Sequence, residues 1–294
     1  MEKIILFYKF VPVADPTMCV RWQTELCKRL GLTGRVIISE QGINGTLGGP
    51  LDALLAYKRS MNETDQFRGI DYKWTAGSGA DFPKLSVKAR PELVAFGRPD
   101  LVEVDDNGVV NGGVHLKPRQ LNELMTERGD DVVFFDGRNA YEAEIGKFNN
   151  AIVPDVNTTH DFIDALDNEA LAQFKDRPIV TYCTGGIRCE VISAAMKDRG
   201  FNEVYQLDGG IVKYVEKYGE AGHWKGSVYT FDKRMVVDFG QETSTLGACD
   251  TCGDDEKIFV NCVEPPCKER FLRCETCCRS DQHCVAHREQ TNHC

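Results

Sequence analysis

The chain has 294 residues, enough for two or three folded units, and its 42% hydrophobic and 27% charged composition excludes fibrous and disordered classes. Thirty-five basic against 45 acidic side chains leave a net charge of −10, which excludes a general nucleic-acid coat or a membrane-surface protein and confines any RNA contact to a local basic patch. No apolar run approaches the ~18 residues of a membrane span, and the opening apolar stretch, ended by Lys9, is too short for a secretory leader; the expected setting is the cytoplasm.

In chain order, residues 4–10 predict a strand, 16–30 a helix, 35–40 a strand, the glycine-punctuated 42–49 a strand or hairpin, 50–61 a helix, and 70–76 and 84–90 two strands. The order β-α-β-β-α-β predicts a ferredoxin-like unit over residues 1–95. Residues 96–112, rich in Gly, Asp and Asn, predict a linker. From residue 113 to 222 short apolar strands (131–136, 177–183, 202–207) alternate with expected helices (117–128, 140–146, 158–175, 192–200 and one from Gly209), which predicts a parallel sheet covered on both faces. The fold class is thus mixed α/β and α+β, closed by an extension over 223–294 with a cysteine-rich part at 249–284.

The most informative stretch is the end of the 177–183 strand. Cys183 stands where open α/β sheets place ligands, and Thr184, Gly185, Gly186, Ile187 and Arg188 follow it into a helix. Two glycines let successive N–H groups converge on one centre, and that field with the Arg188 charge should lower the thiol pKa, making Cys183 a nucleophile candidate. Cys189 reads equally as a resolving thiol or a packed helix residue. The glycines of 42–49 form neither a G-x-G-x-x-G nor a Gly-Lys-Ser/Thr motif, so no NAD, flavin or nucleoside-triphosphate site is expected. Lys84, Lys88, Arg90 and Arg98 form a local basic cluster suited to RNA phosphates or, equally, a solvated strand face. Asp136 and Arg138 are expected to brace the sheet beside the loop.

Only four of the 13 cysteines precede residue 249. The others crowd the last 46 residues as Cys249-x2-Cys252, Cys262-x4-Cys267, Cys274-x2-Cys277 and Cys278-x5-Cys284, a pattern for about two structural zinc ions in a reducing compartment. Alternation would join the first and third couples around one ion and the second and fourth around the other, with His283 or His287 able to replace one sulfur. Lys268, Arg270, Arg273 and Arg279 lie among these ligands and are candidates for an RNA backbone.

CTGGIR, the upstream DGRNAYEAEIGKFNNAIVP and the downstream VYQLDGGI resemble the active-site loop, D-x-R motif and L-x-G-G turn of a rhodanese domain. With YKFVPVADP, EQGINGTLGG, FPKLSVKARPELVAFG, CTGGIRCE and WKGSVYTFDKRMVVD, nearly the whole chain resembles the bacterial rhodanese-like, oxygen-dependent tRNA uridine 34 5-hydroxylases. The resemblance implies hydroxylation of the wobble uridine at C5, with molecular oxygen as co-substrate, tRNA rather than DNA as partner, Cys183 essential and Arg188 beside it; it leaves the reductant unassigned. Two positions depart from the pattern: Gly137, where a larger residue is usual, and Val191, where Lys is expected. The alternatives are a sulfurtransferase carrying a persulfide on Cys183 and, outside enzymes, a binding module on a relict scaffold.

Overall fold

The computed structural model describes residues 1–240, 242–267 and 269–291, the side chains of 289–291 excepted. The continuous apolar run Ile4–Tyr8 gives the first strand, β1 (Glu2–Phe10). Asp15 caps α1 (Pro16–Arg29), its carboxylate accepting the Met18 N–H at 2.8 Å. There follow β2 (Thr33–Ser39), β3 (Gly42–Pro50), α2 (Leu51–Glu63), β4 (Tyr72–Ala76) and β5 (Leu85–Ala89). The five strands lie in the order β4-β1-β3-β2-β5, with β5 parallel to β2 and the other pairs antiparallel. This is the expected ferredoxin-like unit with one further edge strand. The glycine-rich stretch is a full central strand: at Gly45 a Cβ would come within 2.4 Å of the Phe7 ring, so its absence lets that ring lie against the backbone. Both helices cover one face, burying Val36, Ile38, Leu54 and Tyr57. The other face carries Leu6, Tyr8, Asn44, Thr46, Arg35 and Lys73 and has no helix of its own.

Residues 90–113 do more than link. They hold a short hairpin, β6 (Val104–Asp105) and β7 (Gly108–Val109), and sink Leu93, Phe96, Leu101 and Val102 into the core of the second unit. That unit comprises β8 (Val114–Leu116), α3 (Pro118–Arg128), β9 (Val133–Asp136), α4 (Ala140–Glu144), β10 (Gly146–Phe148), α5 (Phe162–Ala165), α6 (Glu169–Ala172), β11 (Ile179–Tyr182), α7 (Ile187–Asp198), β12 (Val204–Leu207) and α8 (Gly210–Tyr218). Its parallel sheet runs β8-β12-β11-β9 between two apolar layers. Two expected helices differ. Residues 140–146 stop at Glu144, because Gly146 begins a strand paired with β13 (Trp224–Gly226). The 158–175 helix is two four-residue turns, interrupted where Asn168 turns its side chain onto the Ala170 N–H at 2.9 Å and starts a new helix.

The remainder is β14 (Val228–Tyr229), β15 (Val236–Val237), β16 (Phe259–Asn261), β17 (Arg270–Leu272), α9 (Glu275–Ser280) and α10 (Val285–Thr291). No described helix is long and apolar enough to cross a membrane.

Candidate active site and cysteine clusters

The buried residues of β11 carry the chain to Cys183, which is 1% exposed at the floor of a cavity. Gly186 takes φ of 100°, open to glycine at little cost, and turns its N–H onto the Cys183 Sγ at 3.2 Å just before α7. The loop is backed by the start of α8, whose Ile211 N–H donates to the Cys183 carbonyl at 2.9 Å. A Cβ on Gly210 would stand 2.6 Å from that carbonyl, which explains the second glycine of the Leu-Asp-Gly-Gly turn.

Arg188 is buried and gives both guanidinium arms to Glu142, at 2.6 and 2.9 Å. Glu142 also accepts the Asn139 N–H at 3.1 Å, so the start of α4 fixes it. Beside it, Arg138 pairs with Asp136 at 2.6 Å and donates to the carbonyls of Glu142 and Gly146, the bracing role expected of that pair. Burial pushes the Cys183 thiol up, but the hydrogen bond from Cys189, the Arg188 charge and the loop N–H groups outweigh it and bring the pKa down to about 6. A thiol of that pKa is chiefly thiolate at neutral pH. Cys189 moves the other way, raised by its own burial and by Cys183. Gly137 faces Ile192 and Cys189 rather than Cys183, a Cβ there lying 2.8 Å from Ile192 Cδ1. Val191 is buried in the core, a place for an apolar side chain and costly for an unpaired lysine.

The cavity above Cys183 has a volume of about 540 Å³. Its far wall is the uncovered face of the first sheet. Strand register puts Lys73, Leu6, Thr46 and Arg35 in one row and Tyr8, Asn44 and Ile37 in the next, all lining the cavity. The loop touches that wall closely: a Cβ on Gly185 would meet Leu6 Cδ2 at 2.8 Å, and one on Gly186 the Tyr8 hydroxyl at 3.0 Å. Tyr8 donates to Glu190 Oε1 at 3.0 Å, while Gln206 donates to Oε2 at 2.8 Å and the His115 ring lies 3.4 Å from it. Burial and the neighbouring Glu190 raise the Tyr8 pKa, and Glu190 holds the His115 imidazole above its usual value. Lys73, buried against the Tyr8 ring at 4.7 Å, pairs with Asp71 at 3.3 Å.

Sequence reasoning missed Tyr8, Lys73, Glu142 and the partnership of His115 with Glu190. Only Glu142 left a signal, as the acid within the D-x-R…E pattern. Lys84, Lys88 and Arg90 are exposed on or beside β5, and Lys88 lies opposite Ile37, so the strip continues the sheet face that walls the cavity. Arg98 departs from the strip and pairs with Asp100 at 2.7 Å.

The tail brings its cysteines together in two sets. Cys249, Cys252, Cys274 and Cys277 converge with all ligand atoms within 4.8 Å of one another, as do Cys262, Cys267, Cys284 and His287. Cys252 and Cys274 sulfurs are 3.7 Å apart, close to the ~3.8 Å edge of a tetrahedron with 2.3 Å zinc–sulfur bonds. The His287 Nδ1 lies 3.4 Å from Cys262 Sγ and 3.1 Å from Cys284 Sγ. The donor sets and spacings therefore fit a tetrahedral thiophilic ion in each. The expected eighth sulfur, Cys278, is outside: it follows Cys277 on α9 and so points about 100° away, where it accepts from Gln282 at 3.4 Å. His283 is not a substitute ligand but meets Asp281 at 2.7 Å. Of the basic residues there, Arg273 is buried on Asp250 and is not free for RNA, while Arg279 is exposed in a pair with Glu275; Lys268 lies outside the described residues.

A parallel sheet whose buried strand ends in a cysteine–glycine–glycine–arginine loop, backed by a Gly-Gly helix start, defines a rhodanese-like protein, here joined to a ferredoxin-like unit. Family comparison agrees: residues 2–93 match the UPF0176 acylphosphatase like domain, 117–217 the Rhodanese-like domain and 225–290 the Rhodanase C-terminal family. Proteins from Corynebacterium urealyticum (58% identical, covering 94% of this chain and 93% of that protein) and Corynebacterium jeikeium (55%, covering 98% and 93%) are named tRNA uridine(34) hydroxylase. So is one from Corynebacterium aurimucosum, 56% identical over 96% of this chain and 94% of its own. The chain belongs to the tRNA uridine(34) hydroxylase family.

Proposed function

We propose that this protein is a tRNA-modifying oxidoreductase that hydroxylates uridine 34 at C5, using molecular oxygen, with Cys183 as the essential thiolate. One observation carries the reading: a low-pKa thiol faces a cavity of nucleotide size whose opposite wall belongs to another folded unit and runs on into an exposed basic strip. An anticodon base must leave its stack to reach such a floor.

Addition of the Cys183 thiolate to C6 of the uracil would place negative charge on C5 and O4, making C5 the nucleophile toward oxygen. Loss of the C5 proton and elimination of the thiolate then restore the ring. Incorporating one oxygen atom consumes two protons and two electrons delivered by an external two-electron reductant, the second atom leaving as water. The loop N–H groups and Arg188 hold the thiolate; Tyr8, tied to Glu190, stands where a proton must be exchanged in the cavity. Lys84, Lys88 and Arg90 would hold phosphates outside it.

The persulfide-carrying alternative calls on the same loop N–H groups. It is less well served here, because Arg188 spends both arms on Glu142 and a small dianion needs no wall from a second unit. Each cysteine set is assigned one structural zinc, held by Cys249, Cys252, Cys274 and Cys277 in one and by Cys262, Cys267, Cys284 and His287 in the other. The setting is the cytoplasm, where anticodons are found. The deciding experiment is nucleoside mass spectrometry of tRNA from cells lacking and regaining the gene: 5-hydroxyuridine should vanish and return, and its persistence in the deletion would overturn the reading.

A further inference from the structure

A second cavity, of about 440 Å³, adjoins the first and shares Arg35, Phe82, Phe231 and Asp232 with it, so that a few side chains form the partition between them. Its remaining lining comes from the turn at Asp81 and Pro83, from Tyr229, Lys233 and Met235, and from Arg270 on β17. Two features of this recess are left unused by the reaction described above. Phe231 sits on the partition, 46% exposed as a residue, with Arg188 and Tyr229 against part of its ring and the rest left unburied. Arg35 stands on the shared wall, exposed, with no hydrogen-bond or ion-pair partner among the described residues.

The charges around the recess sort into spent and available. Asp232 is taken by Arg234 at 2.5 Å, and Asp81 caps its own turn by accepting the Ser78 N–H at 2.7 Å. Lys233 reaches the Ala80 carbonyl at 2.9 Å, a bond that leaves its charge uncompensated. Arg270 is held between the rings of Tyr141 and Tyr229 and donates to the Tyr229 hydroxyl at 2.5 Å and the Asn261 amide oxygen at 3.3 Å, again without a carboxylate. Three uncompensated cations and an exposed aromatic ring at a single mouth are what a stacked base with its phosphate requires. A thiosulfate or persulfide donor would use neither.

We propose that this second cavity is the subsite for the nucleotide next to the target uridine in the same RNA strand, its base lying on Phe231 and its phosphate met by Arg35 and Arg270. This rests on the RNA-modifying reading and sharpens it: the protein takes hold of a dinucleotide step rather than one extruded base. Selectivity for RNA loop context then arises at Phe231, away from Cys183.

The test compares two probes on full-length Cys183→Ser protein, uridine 5′-monophosphate and a trinucleotide with uridine in the middle, by equilibrium binding at fixed salt. The trinucleotide should bind about tenfold or more tightly, the usual scale of one base stacked on an aromatic ring. Phe231→Ala should remove most of that increment, costing the trinucleotide far more affinity than the monophosphate, Phe231→Trp should restore it, and Arg35→Gln should flatten the salt dependence more for the trinucleotide than for the monophosphate. Equal affinity for both probes, or a Phe231→Ala loss shared equally by both, would overturn the subsite. In parallel, protein with Cys183 intact is assayed on whole tRNA for 5-hydroxyuridine. Hydroxylation without a trinucleotide increment removes the subsite only, whereas absence of hydroxylation and of binding by either probe removes the reading beneath it as well.

Discussion

The Cys183 loop and the segment from Cys249 to α10 both concentrate sulfur, yet the first is enclosed by the large apolar cores of two sheets, while the second buries little besides Phe259, Phe271, Leu272 and its own cysteines. In the loop, hydrogen bonds, two glycine conformations and one buried ion pair hold a single thiol as an anion. In the tail, convergence of thiols substitutes for a core too small to fold unaided. On the proposed reading, the same element would serve reactivity where the scaffold is rigid already and stability where there is almost no scaffold. Cysteine count alone does not separate the two uses; the surrounding carbon does.

That contrast can be broken most sharply at the nucleophile. Cys183→Ser should lower 5-hydroxyuridine formation by at least about a thousandfold with an unchanged melting curve, and Cys189→Ser should be milder. An active, folded Cys183→Ser protein would place the chemistry elsewhere. In the tail the expected loss is structural: elemental analysis should find about two zinc ions per chain, and Cys277→Ala or His287→Ala should each cost one, whereas Cys278→Ser keeps both. Chelation should make residues beyond 249 protease-sensitive and leave the sheet of β8, β9, β11 and β12 folded.

Next in size is the ion pair behind the loop. Glu142→Ala leaves Arg188 buried without a partner and should cost about 3–5 kcal/mol in denaturant unfolding. The protonation state itself is read by alkylation of Cys183 against pH. With the thiol brought down to about 6, the rate should be level above pH 7 and fall about tenfold by pH 5, following the thiolate fraction as protons return. Arg188→Met should move the midpoint upward, because the charge that favours the anion is gone. The smallest effect is outside the cavity: reversing Lys84, Lys88 and Arg90 together should weaken tRNA binding and flatten its salt slope by roughly 2–3 if each meets one phosphate. Undiminished binding at moderate salt would make the strip a solvated face.

The loop that presents Cys183 was legible because all its parts are neighbours in sequence: a strand, a cysteine, two glycines, an arginine. The ferredoxin-like order was legible for the same reason, through apolar strands and helices following one another along the chain. What stayed hidden was assembled across distance. Tyr8, Arg35 and Lys73 share a face only through register between strands far apart in the chain, and Glu142 meets Arg188 across 46 positions. The tail shows a subtler case. Spacing predicted that Cys249, Cys252, Cys274 and Cys277 converge and allowed His283 or His287 to replace one sulfur, but not which: helical phase turns Cys278 away, and His287, one turn beyond Cys284, stands in its place.

Gly185 against Leu6 and Gly186 against Tyr8 carry a consequence for descent. The two units meet where a methyl group would press on the Leu6 and Tyr8 side chains, so the two surfaces tend to change together: an enlarged residue at position 6 presses on the loop, and a side chain in the loop makes the β1 side chains give way. Exchange of whole units between relatives should yield folded but inactive hybrids unless residues 6 and 8 travel with 185 and 186. Heredity here acts on the seam as one locus, although its nearest members stand 177 positions apart.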